Sequence, residues 1–242
     1  MAELVDAQVS GTCGATRGSS SLLLGTIPPP YQGGGGSDIM AVSVHIGDIP
    51  ADLSFGDCVA IDTETMGLKP VRDRLCLVQL SAGDGHAHIV QFRADDYSAP
   101  NLRKLMADPH VTKLFHFGRF DIAAIWMYLD VLPRPVYCTK IASRLARTFT
   151  QHHGLKVLCR ELLGVELDKQ QQTTNWGADA LTPEQVDYAA SDVLYLHKLR
   201  DALEKLLAQE GRQEMAHACF DFLPARALLD AAGWEDEDIF SH

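Results

Sequence analysis

Between residues 40 and 200, short apolar runs alternate with stretches of helical period. The runs Cys58–Asp62 and Leu75–Leu80 are rich in aliphatic residues and bounded by turn formers, which predicts buried strands. Val42–Ile46, Ala87–Gln91, Lys113–His116 and Val136–Tyr137 read the same way. Apolar residues three and four apart predict helices over Asn101–Met106, Phe120–Leu129, Thr139–Arg147, Leu155–Leu163 and Pro183–Leu207, with a last one over Gly211–Phe222. The early strands follow one another closely through turns such as GLKPVRD and AGDG, which predicts antiparallel hairpins. Farther on, strand and helix alternate as in βαβ units. The predicted class is α/β, a mixed β-sheet flanked by helices, in one domain spanning residues 40–242.

Residues 1–39 break the pattern. They are rich in Gly, Ser and Pro, hold no sustained period, and lack the charged start and long apolar stretch of a secretory signal. They read as a disordered or misannotated extension. MAELVDAQVSGTCG resembles the peptide obtained when a tRNA gene is translated in frame. GGGG is what a purine-rich ribosome-binding site would encode, just ahead of Met40. A chain begun at Met40 is therefore expected to be as stable and active as the whole.

Composition adds three constraints. Hydrophobic residues make up 46% of the chain and charged residues 22%, as in ordinary soluble domains. No apolar run approaches the roughly 20 residues that cross a bilayer, so no membrane partner is expected. The six cysteines are scattered without a CxxC pair, which points to a reduced, cytoplasmic protein. Of the net charge of −11, the extension carries −2, from Arg17 against Glu3, Asp6 and Asp38, and the remainder −9. Proteins that grip long nucleic acids usually present a basic face. An acidic chain suits a very short substrate better.

The candidate chemistry is carboxylate chemistry. Asp62 and Glu64 are two apart on a predicted strand, so both point to one face. Tyr188 and Asp192 are four apart on a predicted helix, one turn from each other. Asp121 lies in HFGRFDIAAI between them. Four carboxylates from separate segments can hold two divalent ions, and Mg²⁺ and Mn²⁺ favour such oxygen ligands. Two ions about 3.5–4 Å apart stabilise both the attacking and the leaving oxygen of a phosphodiester. A tyrosine hydroxyl beside them can position the attacking water. With an ordinary pKa of about 10 it is a poor base unless nearby cations favour its ionised form.

In order, DTET, HFGRFD and YAASD resemble the three exonuclease motifs of the DEDD superfamily, in its tyrosine-bearing branch. HGLKVLCRELLGV, LDKQQQTTNW and LTPEQVDYAASDVLYL are similar to stretches of ribonuclease D. From residue 42 to 240 the chain is similar to the short ribonuclease D-like subgroup called nanoRNase C, found in alphaproteobacteria. The segment after Arg200 matches that subgroup's tail, in place of the helical domains that follow in longer ribonucleases D. The resemblance implies a ribonuclease H-like fold and two Mg²⁺ or Mn²⁺ ions held by Asp62, Glu64, Asp121 and Asp192, with Tyr188 as the water-positioning group. It also implies 3′→5′ hydrolysis of short single-stranded RNA, down to dinucleotides, to nucleoside 5′-monophosphates, and assembly as a ring-like homo-octamer.

Substrate contacts are less sharply marked. Thr63 and Thr65 flank Glu64 and join the candidates. Met66 or Leu68 can wedge against a base or pack in the core. His116 is a structural histidine or a substrate contact. Arg119 binds phosphate or pairs with a carboxylate. Lys169 and Gln172 can meet phosphate or sugar, and Trp176 can stack on a base or anchor its loop. Trp234, Ile239 and Phe240, set among acidic residues, need a surface to bury against, either the parent domain or a neighbouring subunit. The rival functions are trimming of structured RNA 3′ ends in the manner of ribonuclease D, a DNA exonuclease, and a nucleic-acid-binding protein without catalysis.

Overall fold

The computed structural model describes residues 41–167 and 174–241. The extension over residues 1–39 and the candidates Lys169 and Gln172 lie outside the described residues.

Six strands form one sheet: β1 (Ala41–Ile46), β2 (Cys58–Thr65), β3 (Leu75–Ser81), β4 (His86–Gln91), β5 (Thr112–Phe115) and β6 (Val136–Cys138). Their order is β1-β4-β3-β2-β5-β6. The central strands β2, β3 and β4 are antiparallel neighbours, while β1–β4, β2–β5 and β5–β6 pair in parallel. The sheet is therefore mixed, as expected.

The antiparallel hairpins expected through GLKPVRD and AGDG are β2–β3 and β3–β4, and only β1 among the early strands departs from that expectation. β1 is not a hairpin partner of β2; it lies at the sheet edge, parallel to β4. The segment after β1 is drawn away by Asp48. Its carboxylate accepts the backbone N–H groups of Asn101 and Leu102, each at 2.9 Å. These belong to the first turn of α1 (Pro100–Ala107), whose own N-cap Ala99 offers no side-chain cap. Asp48 thus satisfies helix donors that would otherwise be orphaned. The chain then enters the middle of the sheet as β2.

The remaining helices are α2 (Arg119–Leu129), α3 (Thr139–Ala146), α4 (Leu155–Leu158), which runs into a π-helical turn at Cys159–Leu163, α5 (Pro183–Leu194), α6 (Leu196–Gln209) and α7 (Gln213–Ala231). The single helix expected over 183–207 is two, divided at Tyr195. The division lets α5 bury Tyr188, Ala189 and Val193 on the central strands, while α6 turns Leu199, Leu203 and Leu207 towards β5 and α3. The last helix runs nine residues past Phe222. It carries Pro224 in its interior, packs along α2 and reaches β6.

The core is continuous across the sheet. Val59, Ala60, Ile61, Leu75, Val78, Leu80, Leu114 and Phe115 are fully buried, and Ile122 and Ile125 of α2 and Val193 of α5 join them. At about 25 cal/mol per Å² of apolar surface, this burial holds the strand ends that carry the carboxylates rigidly in place.

Candidate functional site

The last turn of β2 carries the first two acids. Val59–Ile61 anchor the strand in the core, and Asp62 and Glu64 emerge on one face while Thr63 and Thr65 turn to the other. The β2–β3 register shifts between Glu64 and Thr65, where Leu77 and then Leu75 are the partners. Such bulges re-aim side chains where regular pairing stops. Here the strand leaves the ladder and becomes the loop that holds Met66 and Leu68.

Helix α5 supplies the other two groups. Thr182 and Gln185 form a reciprocal capping box at its start, with Gln185 N to Thr182 Oγ1 at 3.2 Å and Thr182 N to Gln185 Oε1 at 2.9 Å. Gln185 also donates to Thr174 Oγ1 and the Asn175 carbonyl, fixing the approach to the helix. One turn on, Tyr188 and Asp192 share a face. Asp62, Glu64 and Asp192 each place a carboxylate oxygen within 4.8 Å of the other two. Among the described residues, this is the one group of three acidic, histidine or cysteine side chains so close together.

Asp121 stands at the side of this nest. It occupies the first turn of α2, where the helix dipole favours an anion. The chain reaches that turn through Phe117, at φ 63°, and Gly118, where a Cβ would stand 2.7 Å from the Phe115 Cβ. Only glycine tolerates that approach without displacing Phe115. Asp121 is 4% exposed and accepts a hydrogen bond from Thr63 Oγ1 at 2.6 Å.

Electrostatics follow from the crowding. Burial, then the charges of Asp192 and Asp121, push the Glu64 carboxyl well above its ordinary range. Tyr188 is pushed up as well, by burial first, then by Asp192, Glu64 and Asp62, and its hydroxyl is hydrogen-bonded to Asp192. Like charges packed this way are unfavourable alone, and a divalent cation would offset them. The donors are all carboxylate oxygens, the set that Mg²⁺ and Mn²⁺ prefer. The residues fit such an ion.

The substrate candidates divide. Met66 and Leu68 are open, at 50% and 63% exposure, beside the nest. Of the other described candidates, Thr63, Thr65, His116 and Trp176 are buried and Arg119 is partly exposed. Thr65 Oγ1 donates to the Gly67 carbonyl. His116 Nδ1 and Thr139 Oγ1 share a hydrogen bond at 2.8 Å, and Thr139 Oγ1 also meets the Phe115 carbonyl at 3.2 Å. Arg119 forms a two-nitrogen ion pair with Asp230 and also reaches the Glu235 carbonyl, so of its two expected roles the carboxylate pairing is the one seen. Of the two readings of Trp176, the anchoring one is seen. Its ring is 3% exposed and packs at 5.9 Å from the Tyr188 ring, so it supports the tyrosine from below and offers no face to a base.

Sequence reasoning missed the residues that shape the Met66–Leu68 loop. The Asp73 carboxylate accepts Lys69 N at 3.0 Å and Arg72 Nε at 2.6 Å, and the Arg72 bonds, then the Lys69 N–H, hold it down to about 2. A Cβ on Gly67 would stand 2.3 Å from Asp73 Oδ2. A Cβ on Gly177 would stand 2.4 Å from Met66 Sδ, and Arg74 Nη2 donates to the Gly177 carbonyl at 3.2 Å. The available signals were the two glycines, one directly after Met66 and one directly after Trp176.

Residues 46–208 match the family described as 3′-5′ exonuclease. The chain belongs to that family. Two solved structures of Brucella melitensis NrnC are similar over 84% of the chain. The one bound to pGG is 52% identical, with TM-score 0.82 and 99% of its own length covered. The one with bound Mg²⁺ is 51% identical, with TM-score 0.81 and 100% covered. Ribonuclease D of Granulibacter bethesdensis is 34% identical over 154 residues, which cover 64% of this chain and 38% of that protein. The chain thus spans about two fifths of that curated relative and essentially all of the solved ones. The chain is ribonuclease D-like and NrnC-like, and its sheet and flanking helices have the DEDD exonuclease fold.

Proposed function

We propose that the chain is a metal-dependent 3′→5′ exoribonuclease that hydrolyses RNAs of a few nucleotides, down to dinucleotides, to nucleoside 5′-monophosphates. The observation that carries this is the Asp62–Glu64–Asp192 nest with Tyr188 hydrogen-bonded to it. Asp62, Glu64 and Asp192, with Asp121 from the side, would hold two divalent ions. When bound, such ions supply charge stabilisation for both oxygens of the displacement and a nucleophile at neutral pH. Tyr188, hydrogen-bonded to Asp192, orients the attacking water through its hydroxyl. Met66 and Leu68 present apolar surface to the terminal bases. The short-substrate reading is supported by the acidic balance of the chain and by its likeness to a protein solved with pGG. A homo-octamer in the cytoplasm belongs to the same reading. Trp234 and Phe240 remain 44% and 69% exposed, which leaves apolar surface for a second copy.

The test is hydrolysis of 5′-labelled RNAs of two, three, five, seven and twenty nucleotides, with Mg²⁺ or Mn²⁺ and an EDTA control. A DNA ladder and a tRNA-like hairpin serve as further arms. Turnover that needs metal and is fastest on the dinucleotide supports the proposal. Equal or faster turnover of the longest RNA, or of the hairpin, would replace it with ribonuclease D-like trimming. Turnover confined to DNA would make the enzyme a DNA exonuclease.

A further inference from the structure

We propose that Thr63 is a positioning residue that fixes the orientation of Asp121 and thereby sets the affinity for one of the two ions. This rests on the two-ion reading above. Asp62 and Glu64 project from one face of β2 into the nest with Asp192. Asp121 is not a member of that three-carboxylate group and comes from a different element, the first turn of α2. Thr63 is the link between the two. Strand alternation turns it away from Asp62 and Glu64, to the face where Asp121 arrives. Its hydroxyl lies 2.6 Å from Asp121 Oδ1, and the two residues are 6% and 4% exposed.

A hydroxyl has one proton to give, and an ionised carboxylate only accepts, so the direction of this bond is fixed. A charge-assisted O–H···O⁻ bond of this length is among the stronger kinds. Threonine is β-branched, with χ1 restricted in a strand, so the donor itself is held still. The Asp121 carboxylate is thus stopped from rotating, with Oδ1 engaged by the protein. Partners that orient a ligand in this way typically change metal affinity by about 10–100-fold when removed. The residue between the two acids of the DxE pattern therefore acts on the third acid, through the protein, without touching substrate.

The experiment measures metal binding directly, without RNA. Mn²⁺ is titrated into the full chain and free ion is followed by electron paramagnetic resonance. The wild type, Thr63→Val, Thr63→Ser, Asp121→Asn and the Thr63→Val/Asp121→Asn double variant are compared, and circular dichroism melts establish that each is folded. Valine keeps the branched shape and removes only the donor. The expected result is two bound ions in the wild type and one affinity weakened about tenfold or more in Thr63→Val. Thr63→Ser should be restored towards wild type, and Thr63→Val should add nothing once Asp121→Asn is present. Wild-type affinities in Thr63→Val would overturn the inference, as would an undiminished loss in the Asp121→Asn background. Fewer than two ions in the wild type would overturn the two-ion reading itself, and this inference with it, before any variant is considered.

Discussion

On an apolar helix face a tyrosine is ordinarily a packing residue. The ring of Tyr188 does pack, against Trp176, while its hydroxyl meets Asp192. The two ends of one side chain thus do different things. Tyr188→Phe keeps the ring and removes only the polar end. Single-turnover hydrolysis should slow about 100-fold, with RNA affinity within a factor of two, because positioning the water matters in the transition state more than in the ground state. Quench-flow rates beside equilibrium binding would check this, and an unchanged rate would show that the hydroxyl is dispensable. Asp62→Ala or Glu64→Ala should abolish turnover while the far-UV circular dichroism stays that of the wild type. Periodicity revealed these residues because two-residue and four-residue spacings fix which side chains share a face. It did not reveal the partners of the candidates Thr63, Trp176 and Arg119, because Asp121, Tyr188 and Asp230 lie 58, 12 and 111 residues away along the chain. Neither depth nor long-range pairing is written in local spacing.

Elements were legible wherever apolar period was strong, and all six strands fall where the runs placed them. What failed was partnering and continuity. The edge that β1 joins is not written in its own run, because a run of alternating residues says nothing of its partner. α5 and α6 were read as one helix because both halves keep helical period across Tyr195. Two consequences can be measured at this scale. Thr182→Ala removes half of the capping box and should cost about 1 kcal/mol in urea unfolding. The second concerns the β1–β4 edge, where His45 and His88 share a hydrogen bond at 3.1 Å and His86 stacks on His88. Burial, then the neighbouring His86 and His45, lowers His88 to about 4 from an ordinary 6.5. Over that interval the unfolded chain binds a proton that the folded chain refuses, so stability falls as pH drops from about 6.5 towards about 4. The melting temperature should fall across that window and fall less in His88→Asn. Equal pH slopes in the two proteins would show that the edge histidines do not matter.

At the scale of the whole molecule, the net charge of −11 has to be reconciled with a polyanionic substrate. Several basic side chains are already committed within the protein. Arg119 is paired with Asp230, Arg226 with the same carboxylate, Arg72 with Asp73 and Lys69 with Glu235. A protein that grips a long strand releases counterions from many phosphates, and its affinity falls steeply with salt, by about 10³–10⁵ between 50 and 200 mM for 6–10 contacts. A site in which the carboxylates and their ions meet one or two phosphates, with apolar residues against the bases, releases few. The affinity of the slowed Tyr188→Phe protein for a labelled RNA dinucleotide, read before turnover, should therefore change less than about tenfold over that salt range, at constant divalent ion. Fluorescence anisotropy at the two salt concentrations would measure it. A slope as steep as that of a strand-gripping protein would mean that a basic surface engages the substrate after all, and would move the reading from short-RNA scavenging towards trimming of longer RNA. A shallow slope joined to fast dinucleotide turnover would tie the acidic surface to substrate choice, because such a chain gains little from any phosphate beyond the reach of its ions.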